Sequence, residues 1–134
     1  MKKLLILFTV VVAGMATVTA QEASGTQGIK FAELVYDFGT FPEETGKVNY
    51  TFEFTNTGKS VLILQNVKTS CGCTTPNWTK EPVAPGEKGS VEVIFDANGR
   101  AGAFNKTITV TTNFGEETLT IKGEVIPTIR KKEN

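Results

Sequence analysis

The chain has 134 residues, 40% of them hydrophobic, with 14 basic and 14 acidic side chains and no histidine. Without histidine, a Ser-His or Cys-His nucleophile, a histidine zinc site and the commonest general base are all excluded. The charge is balanced and the one late basic cluster is Arg130, Lys131 and Lys132, so no basic stripe for nucleic acid is present.

Residues 1–20, MKKLLILFTVVVAGMATVTA, have the three parts of a secretory signal peptide: two lysines, an apolar run and small residues before a cut. Val18 and Ala20 take the −3 and −1 positions, which makes Gln21 the first mature residue. The apolar run from Leu4 to Met15 is about 12 residues, short of the roughly 20 that a membrane span requires. The expectation is export to the periplasm, cell envelope or exterior, with no membrane span after cleavage. Residues 21–134 then hold one domain, at 30–127, preceded by a short linker at 21–29. Without Lys2 and Lys3 the balance is 12 basic against 14 acidic residues. A domain of this size buries roughly two thirds of its unfolded surface, so its core does not depend on cysteine bridges.

Residues 30–127 read as strands. IKFAELVYDFG is an opening strand that Asp37 and Gly39 end, with Phe38 packing; no other kinase motif accompanies this Asp-Phe-Gly. NYTFEFT puts Tyr50, Phe52 and Phe54 on one face, the period-two pattern of a half-buried strand. VLILQNV starts as a continuous apolar run and is expected to lie centrally, covered on both faces. A short strand near Trp78 follows. SVEVIF, KTITVTT and ETLTIKGEV then alternate again. Asn56-Thr57-Gly58, Pro85-Gly86, Asn98-Gly99 and Asn113-Phe114-Gly115 separate these runs, and APGE fits a type II turn. Residues 128–134 form a polar tail. The fold class is all-β, an immunoglobulin-like β-sandwich of about seven antiparallel strands.

Three segments carry a resemblance. YDFGTF at 36–41, FEFTNTGKSVLILQNVKTSCGCTTPNW at 52–78 and APGEKGSVEVIFDANGRAGAFNKTITVTTN at 84–113 are similar to the bacterial domain of unknown function 1573. The likeness covers roughly residues 30–126. It implies an exported, stand-alone Ig-like module, with a fold similar to Hydin-type and major-sperm-protein-like sandwiches, and it implies no reaction.

Chemistry-bearing groups are few. Glu43-Glu44 and Glu116-Glu117 fall in turns, where paired carboxylates are solvated rather than set apart in a cleft. Asp96-Ala97-Asn98-Gly99 offers oxygens but lacks the spacing and closing glutamate of a calcium loop; it reads as a turn with unusual angles at Asn98 and Gly99. That leaves Cys71-Gly72-Cys73. In an extended chain the two Cα atoms lie about 6.6 Å apart, at the long edge of the roughly 4.4–6.8 Å of disulfides, and Gly72 can bend the backbone to shorten the gap. Four readings stand for the pair: a disulfide or dithiol of local structural effect, packed free thiols, soft-metal ligands for an ion such as Cu(I), or a thiol redox pair. Trp78 is either a packing residue or a partner contact.

The expectation for function is a non-catalytic, exported Ig-like binding or structural module without a cofactor. Its partner is a protein or envelope component, reached through sheet edges or the CGCTTPNW loop. The alternative is a thiol-redox or copper-handling protein acting through Cys71 and Cys73.

Overall fold

Period-two alternation gives each strand one apolar face, and two sheets stack by burying those faces against each other. The computed structural model describes residues 26–129, so the signal-peptide expectation and the last five residues of the tail lie outside the described residues. Eight strands form: β1 Ile29–Phe31, β2 Val35–Pro42, β3 Lys47–Asn56, β4 Leu64–Thr69, β5 Thr74–Trp78, β6 Lys88–Asp96, β7 Gly102–Thr112 and β8 Gly115–Ile126. One sheet has the order β1-β3-β6-β5 and the other β2-β8-β7-β4. Phe52, Phe54, Val91, Val93 and Phe95 of the first sheet are buried, as are Ile108, Val110, Leu119 and Ile121 of the second.

Three expectations change. The opening segment is two strands, one per sheet: β1 pairs antiparallel with β3, while β2 pairs parallel with β8. The chain changes sheet across Ala32, Glu33 and Leu34, so the strand count is eight and not every pair is antiparallel. Asp37 and Gly39 do not end β2. A bulge between Asp37 and Thr40 lets the strand continue to Pro42; Gly39 takes a φ of 69° and donates its N–H to Asp37 Oδ1 at 2.8 Å. VLILQNV is not central. It leads into β4 at the edge of its sheet, with Leu62, Leu64 and Val67 buried and Val61 and Ile63 exposed. An apolar run alone does not say which of its side chains find a second layer.

The turns follow their chemistry. Gly86 has a φ of 82° and Glu87 N–H donates to Ala84 O at 3.0 Å, the type II turn expected of APGE. Positive φ occurs only at glycines among the described residues, so Gly99 takes the unusual angle and Asn98 does not. An aromatic seam closes the sandwich along β2. Tyr36 stacks on Tyr50 of the facing sheet with centroids 3.6 Å apart, and Phe38 joins Phe104, which stacks on Phe95 at 4.1 Å. Close approach also fixes Gly89, because a Cβ there would meet the ring of Phe54, its cross-strand partner.

Candidate functional site

The two cysteines sit where the chain crosses between sheets. β4 ends at Thr69 in one sheet, β5 starts at Thr74 in the other, and Ser70–Cys73 make the corner. Hydrogen bonds pin this corner from several sides. The Thr69 hydroxyl lies 3.0 Å from Cys71 O and 3.1 Å from Thr74 O, sharing its proton between them. Ser70 N–H donates to Thr107 O, and Thr107 N–H donates back to Ser70 Oγ at 3.1 Å. Asp96 N–H donates to Cys73 O at 2.9 Å.

Cys71 and Cys73 are joined in a disulfide with Cα atoms 5.4 Å apart. The turn, rather than an extended strand, brings them to that separation. Gly72 between them does not use glycine's special freedom. Its φ is not positive, and a Cβ there would have nothing within 4 Å. The bend is therefore one that other residues could adopt, contrary to the part expected of Gly72. The two residues differ in exposure: Cys71 is half-buried, whereas Cys73 is 8% exposed. Cys73 N–H donates to Cys71 Sγ at 3.3 Å, and the Thr74 hydroxyl lies 3.7 Å from Cys71 Sγ and 3.8 Å from Cys73 Sγ.

Two clefts flank the bridge. The larger, about 410 Å³, has Phe95, Ala101 and Phe104 beside the cysteines, with Arg100 and Lys106 at its rim. The second, about 240 Å³, runs past Gly72 and Cys73 to Lys47, Asp96 and Arg100. The walls of the two clefts thus carry three cations and one carboxylate. Arg100 is held by its Nη1, which donates to Asn98 O at 3.0 Å. Sequence reading missed Lys47, Arg100 and Lys106, because they come from three separate segments and no local motif joins them to the cysteines.

The other candidate residues are placed elsewhere. Trp78 packs partly against the core, and Lys80 Nζ lies 2.9 Å from its ring centroid, covering the face a partner would use. Its Nε1 is buried without an acceptor among the described residues. Glu43 accepts from Gly99 N–H at 2.7 Å and from Thr128 N–H at 3.2 Å. Glu117 accepts from Thr26 N–H at 2.6 Å. These carboxylates fasten loops. Asp96 Oδ1 accepts from Asn98 N–H at 3.1 Å, and no group of three or more Cys, Asp or Glu side chains is placed to hold a metal among the described residues. Leu34, Val35, Ile126 and Ile129 are exposed elsewhere, and a further pair of exposed aliphatics lies at the other end of β4, one of four edge strands. There Leu62 is bridged to Val83, Ile63 N–H donates to Asn113 Oδ1 at 2.8 Å, and Asn113 Nδ2 donates to Val61 O at 2.8 Å. Val61 and Ile63 are 44% and 40% exposed on this firmly held segment.

Comparison with solved structures gives likeness of fold. A protein of unknown function from Porphyromonas gingivalis W83 is similar with a TM-score of 0.64 at 20% identity, over 81% of this chain and 51% of that one. The ASH/PapD-like domain 7 of human CEP192 is similar with a TM-score of 0.61 at 9% identity, over 86% of this chain and 97% of that one. The VesB protease of Vibrio cholerae is similar with a TM-score of 0.54 at 23% identity, over 75% of this chain and 32% of that one. The chain therefore spans about half of the Porphyromonas protein and about a third of the protease. No match is found among curated proteins. The family model described as "Protein of unknown function (DUF1573)" matches residues 29–125, and the chain belongs to that family.

Proposed function

We propose that the protein is an exported, non-catalytic Ig-like module that works by binding a protein or another component of the cell envelope. The observation that carries this reading is the exposed pair Val61 and Ile63, held out by backbone bonds on both sides, next to the open edge of β4. Aliphatic side chains displayed on a rigid segment beside an unpaired strand edge are what an added strand or a packed partner surface uses. The PapD-like neighbour supports a fold of this kind without naming a partner. Export rests on residues 1–20 of the sequence.

A photo-crosslinking residue at position 63, compared with one at Lys30 on the opposite sheet's edge strand, tests the binding reading in native envelopes. The reading predicts one discrete adduct from position 63 and none from position 30. Equal or absent adducts at both positions would contradict it. Cell fractionation with N-terminal sequencing tests export: the expected product starts at Gln21, and an unprocessed chain in the cytosol would contradict it. The copper form of the alternative needs both sulfurs reduced and a further ligand that the described residues do not group beside them. Its redox form has observations of its own.

A further inference from the structure

Four observations meet at the β4–β5 corner. The bridge closes a loop of sequence separation 2, so it constrains the unfolded chain little, and the hydrogen bonds of Thr69, Ser70 and Asp96 hold the turn beside it. Its two residues are unequally exposed, with Cys71 half-buried and Cys73 buried, while Cys73 lines both clefts and Cys71 the larger one. Gly72 meets no backbone or packing demand, and it lines both clefts without a side chain. Lys47, Arg100 and Lys106 line these clefts against the single carboxylate of Asp96.

We propose that Cys71–Cys73 is an exchangeable disulfide whose outward-facing sulfur is Cys71, and that it reacts with acidic thiols, meaning thiols that carry further negative charge. The incoming thiol loses its proton to solvent, and its thiolate attacks Cys71 Sγ. A disulfide forms between the incoming sulfur and Cys71, and the Cys71–Cys73 bond breaks. The electron pair leaves on Cys73 Sγ, which takes a proton from solvent. When the incoming molecule carries a second thiol, that thiolate attacks the incoming sulfur of the mixed disulfide and expels Cys71 as thiolate. The dithiol is then oxidised by two electrons to a disulfide, and the cysteine pair is reduced by two. No other oxidant or reductant enters.

The surroundings fit both leaving groups. Cys73 N–H is already directed at Cys71 Sγ, and the Thr74 hydroxyl reaches either sulfur. Donors and cations beside a sulfur favour its thiolate, and a thiolate that forms readily leaves readily. The same cations draw in an anionic thiol and repel a cationic one. This inference is independent of the binding reading, whose residues Val61 and Ile63 lie at the far end of β4.

The test is reduction kinetics of the disulfide-intact exported chain with glutathione, an acidic cysteinyl peptide, neutral 2-mercaptoethanol and cationic cysteamine, compared at equal thiolate concentration. The two acidic thiols should react on the order of tenfold faster than cysteamine, with the gap closing at high salt. A faster peptide assigns the source to protein thiols and a faster glutathione to small thiols; either supports the proposal. Brief exposure followed by alkylation should leave the adduct on Cys71 and the alkyl group on Cys73. With glutathione disulfide, Cys73→Ser should capture one glutathione on Cys71, and Cys71→Ser should react at least about tenfold more slowly, as accessibility governs exchange. The mapping on the unaltered chain decides the matter if either variant fails to fold. A bridge that resists millimolar glutathione, adducts spread equally over both cysteines, or rates indifferent to thiol charge would overturn the proposal.

Discussion

The two ends of β6 meet corners built on opposite plans. Beside Lys88, at one end, the buried Asn56 amide ties three stretches of chain: Nδ2 donates to Ser60 O at 2.8 Å and to Val83 O at 2.9 Å, and Oδ1 accepts from Gly58 N–H at 2.9 Å. Its backbone adds bonds to Glu87 O and from Gly86 N–H. Beside Asp96, at the other end, the link is covalent, yet it joins residues only two apart and lies open to two clefts. Bond strength is thus a poor guide to which corner holds the fold. A buried side chain with partners up to 27 residues away cannot be removed without breaking several tertiary hydrogen bonds at once. A bridge across one glycine removes little freedom from the unfolded chain.

The sharpest way to break this contrast is Asn56→Ala, which takes the partner from Ser60 O and Gly58 N–H and leaves Val83 O with the Leu62 N–H alone. It should cost about 3 kcal/mol in urea unfolding, and a loss below about 1 kcal/mol would remove the distinction between the corners. Gly89→Ala, near the Asn56 end of β6, should cost about 2 kcal/mol by driving a methyl into Phe54. A shift of the unfolding midpoint without a change of slope would show that the fold itself is kept. At the other corner, Cys71→Ser with Cys73→Ser should cost no more than about 1.6 kcal/mol, the chain-entropy value for a three-residue loop. A larger loss would make the bridge structural after all.

Much of the core was legible. Phe52, Phe54, Val91, Val93, Phe95, Ile108, Val110, Leu119 and Ile121 each occupy the buried face that alternation assigns, because the pleat forces neighbouring side chains to opposite sides. The turn at Pro85-Gly86 was legible for the same local reason. What escaped depends on distant partners. Nothing in IKFAELVYDFG states that its first half pairs with β3 and its second with β8. VLILQNV reads as central until the open edge beside β4 is known. Asn56 looks like any turn asparagine, since its worth lies in Val83 and Glu87. At the candidate site, the cysteine pair was visible in sequence, but Lys47, Arg100 and Lys106 come together only once β3, β7 and the β6–β7 loop converge.

The smallest expected effect sharpens the contrast away from both corners. Tyr50 donates its hydroxyl to Glu33 Oε2 at 2.6 Å, and that bond, aided by burial and nearby charge, raises its pKa from 10.0 to about 12. The folded state holds the proton more tightly, so the stability gained is present in full below pH 10 and is lost as pH rises through about 12. Glu33→Gln should shift the tyrosinate absorbance of Tyr50 to lower pH, and an unchanged titration would mean that the Glu33 contact does not set it.

Peptide-resolved hydrogen exchange on the whole chain, before and after reduction of the bridge, tests the central claim most directly. Reduction should speed exchange at Ser70–Thr74 and along the Arg100–Lys106 rim, while Asn56, Gly86 and the strands β3 and β6 keep their protection. Loss of protection throughout the sandwich would contradict the account, because the disulfide would then be holding the fold.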